Sequence, residues 1–302
     1  MRILICGAGG QLGHELTRLL EQGVGEIGPI PAAYRGAEVT KTDVAALDIT
    51  DASAVERLVA AGAFDLVINC AAMTNVDGCE EQEDAAYRIN AQGAENLARA
   101  AARQGAKIVH VSTDYVFSGD EAAERVEGDP TGPQSAYGRT KLAGELLVAA
   151  ANPRHFIVRT AWLYGYVGKN FVKTIMALAR DRGAIRVVDD QRGNPTSAND
   201  LAYEILRIAE TEDFGTYHAT NKGTCSWFEF ACAIVDGAGI PCEKTPCATA
   251  DFPRPAKRPT FSSLRNKRLE DTIGDEMRTW QDALADYLEN LPGHRGDPPD
   301  KE

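Results

Sequence analysis

The chain has 302 residues, 44% of them hydrophobic, which is enough for one large domain or a core domain with a smaller lobe. Its formal net charge of -12 argues against general nucleic-acid binding, and no apolar run approaches the ~18 residues of a membrane span. The start resembles a strand rather than a signal peptide, and the seven cysteines form no Cys-x-x-Cys pair. We therefore expect a cytoplasmic protein with reduced thiols and with no nucleic-acid or membrane partner.

The N-terminal segment predicts a phosphate-binding turn. Arg2 to Cys6 is an apolar strand, and a helix with Leu16, Leu19 and Leu20 on one face follows the glycines. Between them the glycines are spaced as Gly7-x-x-Gly10-x-x-Gly13. A helix N-terminus offers free N–H groups and a positive dipole end to a pyrophosphate, so this segment predicts dinucleotide binding.

The next segment offers two possible contacts with the adenosine half of a dinucleotide. A second strand is expected within Ala37 to Lys41, where Lys41 would favour a 2′-phosphate and hence NADPH. Asp48 and Ile49 then precede a helix that starts at Asp51. These two residues either hold an adenine or belong to the N-cap region of that helix, and the residues alone leave both readings open.

Two further strands end in small or hydroxyl-bearing residues. The strand Asp65 to Cys70 leads into Ala71 to Thr74, and Lys107 to Ser112 leads into Thr113 to Phe117. A single long helix is expected between them, from about Glu80 to Gln104. Because ligands bind at the carboxyl ends of strands in open α/β sheets, these ends predict one side of a site.

A tyrosine and a lysine lie four residues apart on the following predicted helix. Tyr137 and Lys141 therefore share a face, and a neighbouring ammonium lowers the pKa of a phenol. The pair predicts a general acid/base. This spacing also arises on solvent-facing helices, so the prediction depends on the strands and glycines around it.

The alternation of strands and helices up to the strand His155 to Thr160 predicts an α/β fold: a Rossmann-type, doubly wound parallel sheet with a smaller C-terminal lobe. We expect a dinucleotide-binding core with the catalytic helix at 1–165, a mainly substrate-binding lobe at 166–290 with some segments returning to the core, and a disordered tail at 291–302. Later elements are expected as helices at about 170–182, 199–210, 226–236 and 279–290 and as strands at about 185–189 and 216–220.

A cationic stretch follows near the C-terminus of an otherwise acidic chain, with no acid between Asp251 and Glu270. Its basic residues are Arg254, Lys257, Arg258, Arg265, Lys267 and Arg268. The stretch is either a solvated loop or a diphosphate contact, in which Arg258 is the candidate.

The assembled motifs resemble the extended short-chain dehydrogenase/reductase superfamily and, within it, the dTDP-4-dehydrorhamnose reductase family. The resemblance spans nearly the whole chain except the tail. It is carried by the motifs at 7–16, 71–77, 112–119 (Ser-Thr-Asp-Tyr-Val-Phe-Ser-Gly), 137–145 (Tyr-Gly-Arg-Thr-Lys-Leu-Ala-Gly-Glu), 159–165, 189–196 and 257–264.

The resemblance implies a role for each matching residue. NADPH or NADH would be held by Gly7, Gly10, Gln11, Leu12, Asp48, Ile49, Ala72, Met73, Thr74, Tyr137 and Lys141. Tyr137 would donate a proton, Lys141 would tune it, and Thr113 would orient the carbonyl of a nucleotide-sugar substrate. Asp114, Trp162 and Arg258 would complete the sugar-nucleotide site. The implied reaction is hydride transfer to C4 of a 4-keto-6-deoxy sugar.

Two departures and three alternatives accompany this resemblance. Met73 stands where family members often carry His or Tyr. Asn199 stands where some members place an acid that binds Mg²⁺ together with the residue matching Glu15, so we expect no metal site, and homodimerisation stays open. Tyr115 replaces the glutamate that dehydratases carry. An epimerase, a 4-ketoreductase for another nucleotide sugar and a regulatory subunit of the methionine adenosyltransferase type remain alternatives.

Overall fold

The computed structural model describes residues 1–291, so the tail predicted at 291–302 lies, apart from Leu291, outside the described residues. The strands are β1 Arg2–Cys6, β2 Glu38–Thr42, β3 Leu66–Asn69, β4 Lys107–Thr113, β5 His155–Thr160, β6 Leu163–Tyr164, β7 Ala184–Val188, β8 Arg192–Gly193, β9 Thr196–Ser197, β10 Gly215–His218, β11 Cys225–Ser226 and β12 Glu243–Cys247. The α-helices are α1 Gln11–Gln22, α2 Ala52–Gly62, α3 Val76–Glu81, α4 Glu83–Tyr87, α5 Ala94–Arg103, α6 Ala136–Ala151, α7 Phe171–Arg182, α8 Ala198–Glu210, α9 Trp227–Gly237, α10 Lys267–Asp271 and α11 Trp280–Asn290.

Six of these strands form a parallel central sheet in the order β10-β5-β4-β3-β1-β2. Alternate residues of a strand face opposite sides, and β1 shows this directly. Ile3 and Ile5 pack with Leu16 and the helix α8 on one face, whereas Leu4 packs with α2 and α5 on the other. Helices therefore cover both faces, and the predicted doubly wound parallel fold is confirmed.

A third apolar core lies outside the sheet, in the C-terminal half. It is built from α7, α9, α11 and β7, with side chains such as Ile175, Phe230 and Tyr287. The chain returns to the central sheet twice, because α8 packs against α1 and β10 pairs with β5. The C-terminal half thus supplies both the lobe and one edge of the core.

The helix expected from Glu80 to Gln104 is wrong as a single element. The segment is divided into α3, α4, a π-helical stretch at Arg88–Gly93 and α5. Asn90 lies in the π-helical stretch and is fully buried. Its amide accepts from the Met73 N–H at 2.8 Å and donates to the Thr140 hydroxyl at 3.1 Å. This interrupted helix therefore holds the segment after β3 against α6.

Two strand assignments also change. The second strand runs one residue beyond the predicted range, so it ends at Thr42 rather than Lys41. The strand β12 has no counterpart in the sequence prediction, because its polar sequence includes Pro246 and lacks an apolar alternation. It pairs in parallel with β7 in a two-stranded sheet of the lobe. Within residues 1–291, no helix is long and apolar enough to cross a bilayer.

Candidate active site

Two cavities lie side by side at the carboxyl edge of the central sheet. One has a volume of about 550 Å³ and the other about 500 Å³, and both are lined by Gly7, Gly10, Cys70 and Ala72. They form two halves of one groove that crosses the first glycine turn. A dinucleotide bound with its pyrophosphate on that turn would place its two nucleosides in the two cavities.

The glycine turn leaves room for such a ligand because side chains are excluded from it. Gly7 has φ +77°, and a Cβ there would lie 2.8 Å from the Ala71 backbone nitrogen. A Cβ at Gly13 would lie 2.2 Å from the Gly7 carbonyl oxygen. Gly10 begins α1 without a side-chain cap, which leaves the N–H groups of the first turn open to an anion. These residues fit a nicotinamide dinucleotide.

The first cavity is lined by both residues proposed for the adenosine half, Asp48 and Ile49. The cap of α2 is Asp51, whose carboxylate accepts from the Ser53 and Ala54 N–H groups. Asp48 instead accepts from the backbone and hydroxyl of Thr50, which lowers the pKa of its carboxyl. Asp48 therefore lines the cavity without capping the helix, consistent with the ligand reading.

The expected role of Lys41 is not supported. Its amine pairs with Glu21 at 3.1 Å on the surface, and among the described residues that line the first cavity Lys41 is absent. Because β2 ends one residue later, Asp43 occupies the strand end and lines the cavity. Its carboxylate accepts from the Gly9 N–H at 2.9 Å. The sequence contained this signal, an acid after a strand, but the strand end was placed too early.

The second cavity brings together Tyr137, Lys141 and Thr113. Ser135 caps α6 by accepting from the Gly138 N–H, and this fixes the first turn that carries Tyr137. Gly138 is required here because a Cβ would lie 2.2 Å from the Tyr115 carbonyl oxygen. The helix thus lies close enough to the end of β4 for Tyr137 and Lys141 to face the strand ends.

The expected lowering of the Tyr137 pKa is wrong for this structure. Burial raises the pKa of Tyr137, and a hydrogen bond with Thr113 only partly opposes this effect. The Lys141 amine donates to the Val111 carbonyl oxygen at 2.7 Å. Burial lowers the pKa of Lys141 to about 8. Tyr137 is therefore held in its protonated form at neutral pH, which suits a proton donor.

Thr113 and Asp114 form a buried polar pair at the end of β4. The Thr113 hydroxyl donates to the Asp114 carboxylate at 2.8 Å. Burial raises the pKa of Asp114 to about 6, although the neighbouring Ser262 hydroxyl lowers it. The second carboxylate oxygen of Asp114 has no partner in hydrogen-bond geometry within the described residues. A buried oxygen without a partner beside a cavity fits a ligand that donates a hydrogen bond.

Trp162 lines the second cavity in a strained backbone conformation. Its φ of 47° is unusual for a bulky residue. Its ring stacks on Trp227 with centroids 3.5 Å apart and planes 4° apart. Trp227 also lines the cavity and was missed by the sequence analysis, because it lies at the start of a lobe helix far along the chain. Together the two rings make a flat apolar wall.

Arg258 reaches the site from the C-terminal segment without lining the cavity itself. Its guanidinium pairs with Asp77 at 2.9 Å and donates to the Tyr115 hydroxyl at 3.3 Å. Tyr115 lines the cavity and meets the Tyr137 ring edge-on at 5.5 Å. The cationic stretch is thus not wholly a solvated loop, because one of its arginines bridges the C-terminal segment to α3 and the site.

The remaining proposed residues divide into two groups. Gln11, Leu12 and Thr74 line the second cavity. Met73 does not line either cavity within the described residues; it packs behind Tyr137 in a small apolar cluster.

Glu15 and Asn199, the pair considered for a metal, are both buried and bonded to each other. The Asn199 amide donates to the Glu15 carboxylate at 2.7 Å, and Arg18 donates to the same oxygen. In residues 1–291, no three His, Cys, Asp or Glu side chains are arranged to hold a metal ion.

Comparison with known proteins identifies the family. The sequence model of the family described as RmlD substrate binding domain matches residues 1–292. The chain belongs to this family. A relative from Mycobacterium tuberculosis (strain ATCC 25618 / H37Rv), named dTDP-4-dehydrorhamnose reductase, is 44% identical over 294 residues and covers 95% of this chain and 92% of its own length. The family resemblance predicted from the sequence is confirmed.

Solved structures of the RmlD family have the same fold. A dTDP-4-dehydrorhamnose reductase from Clostridium acetobutylicum is 49% identical, with a TM-score of 0.90 over 96% of this chain and 99% of that one. The enzyme of that name from Bacillus anthracis, solved in complex with NADP, is 39% identical with the same TM-score and coverage. These relatives support the predicted oxidoreductase class and the nicotinamide cofactor.

Proposed function

We propose that this chain reduces the C4 keto group of dTDP-4-dehydro-β-L-rhamnose with NADH or NADPH to give dTDP-L-rhamnose. Tyr137, Thr113 and Lys141 surround one cavity that opens onto the glycine turn, and this arrangement carries the proposal. Membership of the RmlD family and relatives named for this reaction support it.

The chain's own residues account for the proton and the orientation of the sugar. When bound, a reduced nicotinamide supplies a hydride. Tyr137, protonated at neutral pH, donates its phenol proton to the carbonyl oxygen as that oxygen gains charge. The Thr113 hydroxyl, which donates to Asp114 in this structure, stabilises the same oxygen by turning its one proton toward it when the substrate is bound. Solvent finally restores the phenol proton, so each turnover consumes one proton.

The substrate groups away from the carbonyl have matching contacts. The stacked rings of Trp162 and Trp227 offer a flat apolar surface to the sugar. The buried carboxylate oxygen of Asp114 that has no partner among the described residues is assigned to a sugar hydroxyl, which would donate to it. Arg258, held by Asp77 and Tyr115, is the cation nearest the site from the C-terminal segment and is assigned to the diphosphate.

Replacement of the proton donor tests the proposal. Tyr137→Phe should lower turnover of dTDP-4-dehydrorhamnose by roughly 10²- to 10⁴-fold, because it removes a general acid. Its Kd for NADH, read by nicotinamide fluorescence, should stay within about twofold. Tyr115→Phe is the matched control, since it removes a phenol from the same cavity, and it should retain turnover within about tenfold. Equal losses in the two variants would refute the assignment of Tyr137.

A substrate panel separates the alternatives. Several dTDP-4-keto sugars are incubated with NADH or with NADPH, and oxidation of the cofactor is followed by its nicotinamide absorbance. Net oxidation with a single C4 epimer as product supports the reductase. Product formation without net oxidation indicates an epimerase. Cofactor binding without turnover of any keto sugar indicates a regulatory subunit, and preference for a different sugar redirects the substrate assignment.

A further inference from the structure

A buried imidazole lies directly behind the lysine of the proposed catalytic pair. His110, in the middle of β4, is fully buried, and its Nε2 lies 3.5 Å from the Lys141 Nζ. Its Nδ1 lies 3.1 Å from the side-chain nitrogen of Asn69, the last residue of β3. The three side chains form a continuous polar chain beneath the second cavity.

The hydrogen bonds around Asn69 determine which imidazole nitrogen carries the proton. The Ala71 N–H donates to the Asn69 side-chain oxygen at 3.1 Å, so the Asn69 amide nitrogen must face His110. An amide nitrogen only donates, and the His110 Nδ1 therefore has to accept. In a neutral imidazole the proton then lies on Nε2, which faces Lys141.

This tautomer sets a condition on Lys141. The Lys141 amine already donates to the Val111 carbonyl oxygen at 2.7 Å. An Nε2–H group can donate to the lone pair of a neutral amine, whereas an ammonium would place two donors against each other. Gly144 allows α6 to lie so close to the imidazole that a Cβ at this position would lie 3.3 Å from Nε2, and this close approach holds Lys141 and His110 next to each other.

We propose that His110 is a positioning residue for the reduction. Asn69 fixes its imidazole as the Nε2–H tautomer, and in this form His110 orients the Lys141 side chain and disfavours the charged form of Lys141. The groups that face Lys141 are few. Burial disfavours the ammonium of Lys141 and Glu145 on α6 favours it, while the thiol of Cys70 after β3 stays protonated and uncharged because burial raises its pKa. Burial and the Lys141 charge together keep the pKa of His110 well below 6.5, so the imidazole remains neutral.

The consequence for the reaction rests on the proposed function. Lys141 and Tyr137 line the same cavity, and an ammonium there stabilises the phenolate that remains after proton donation. Burial lowers the pKa of Lys141 to about 8, and the Nε2–H group of His110 disfavours the charged form of Lys141 in the same direction. The basic limb of the turnover profile should then follow Lys141.

The tautomer can be measured directly. Protein labelled with ¹⁵N-histidine is examined by long-range ¹H–¹⁵N correlation between pH 6 and 9, and the His110 signals are assigned by their loss in His110→Gln. We expect an unprotonated Nδ1 and a protonated Nε2 throughout. An Nδ1–H tautomer, or an imidazolium at pH 7, would overturn the proposal. The tautomer itself is read on the unsubstituted protein, and the His110→Gln variant serves only to assign the signals.

Two variants test the effect on Lys141. Asn69→Asp still accepts from the Ala71 N–H but would also accept from the imidazole, which moves the proton to Nδ1 and turns Nε2 into an acceptor. His110→Gln can present a carbonyl oxygen to the amine. In both variants the pKa of Lys141 should rise by about one unit, as read from the ¹³C chemical shift of its Cε atom across a pH titration. The control is His155→Gln on β5, which should leave the titration unchanged.

An unchanged Lys141 titration in both folded variants would contradict the proposal, as would an equal shift in His155→Gln. The alkaline limb of the pH profile of turnover should shift together with the pKa of Lys141. An alkaline limb that does not shift would contradict a role of His110 in catalysis. The NMR measurements need no sugar. A protein with the expected tautomer but no turnover of any keto sugar would therefore refute the proposed function while leaving the tautomer of His110 and its effect on Lys141 intact.

Discussion

Two glutamate–arginine pairs that involve the helix α6 have the same geometry but opposite exposure. Arg159 on β5 donates to both Glu145 oxygens at 2.9 and 2.7 Å, and these side chains are 7% and 5% exposed. Arg139 donates to both Glu83 oxygens at 2.9 and 2.8 Å, and these side chains are 44% and 47% exposed. The two pairs form a matched test of what burial adds.

Glu145→Gln should lower the free energy of unfolding by about 3 to 5 kcal/mol, because it leaves the Arg159 charge buried and uncompensated. The Ser112 hydroxyl, 2.5 Å from Glu145, loses a charged acceptor as well. With an unfolding entropy of about 2 cal/mol/K per residue, a chain of 302 residues loses about 5 to 8 °C in Tm.

The measurement is calorimetry of both variants beside the unsubstituted protein at low ionic strength. Glu83→Gln should cost less than about 1 kcal/mol, or under ~2 °C, because solvent screens the exposed pair. Tm losses of equal size would refute the reasoning, since burial would then add nothing to an ion pair of this geometry. A Glu145→Gln variant as stable as the parent would refute it too.

Three further predictions concern the cofactor, the sugar and pH. Asp43 at the end of β2 should disfavour a 2′-phosphate, so NADH should bind more tightly than NADPH. Asp43→Asn should reduce the ratio of the NADPH Kd to the NADH Kd by about five- to tenfold. Tighter NADPH binding that Asp43→Asn leaves unchanged would contradict this. A Cβ at Gly193 would lie 2.6 Å from the Trp162 ring. Gly193→Ala should therefore raise the KM for the sugar nucleotide while the Kd for NADH stays constant. A KM equal to that of the parent would show that the position of the Trp162 ring is unimportant. Burial lowers the pKa of His218 from 6.5 to about 3, so the folded state binds fewer protons and stability falls as pH falls through this window, by up to ~1.4 kcal/mol per unit. His218→Asn should flatten that slope in urea titrations between pH 6 and 4, and an unaltered slope would reject His218 as its source.

The inner strands of the central sheet, β1, β3, β4 and β5, were predictable because they are buried on both faces and therefore appear as short apolar runs, whereas the exposed edge strand β2 was poorly marked. Segments such as Leu66–Asn69 and His155–Thr160 need no tertiary information to be recognised. The glycine turn and the spacing of Tyr137 and Lys141 were equally local signals. The structure brings these features to one groove, as expected for the carboxyl edge of a parallel sheet.

What the sequence missed depends on contacts between distant segments. Trp227 joins the site only because the lobe packs its helix against Trp162. The π-helical stretch around Asn90 is accompanied by a hydrogen bond from the Met73 N–H to the Asn90 side chain, a contact that no helical pattern reveals. The Tyr137 pKa rises because the folded protein buries the phenol, whereas the spacing of Tyr137 and Lys141 predicted only the charge effect.

The return of the chain to the central sheet has a consequence for how this enzyme class can change its substrate. The strand β10 and the helix α8 follow part of the lobe in sequence but complete the core, against β5 and α1. The lobe therefore cannot be exchanged as a unit at a single junction. Replacement of the chain after residue 165 would remove the edge strand β10 and the helix that packs against one face of α1. Recombination of whole segments would damage cofactor binding together with sugar recognition. Under the proposed function, new sugar specificity would come from point substitutions around Trp162 and Trp227, which line the cavity, and around Arg258 behind Tyr115, while the sheet stays complete.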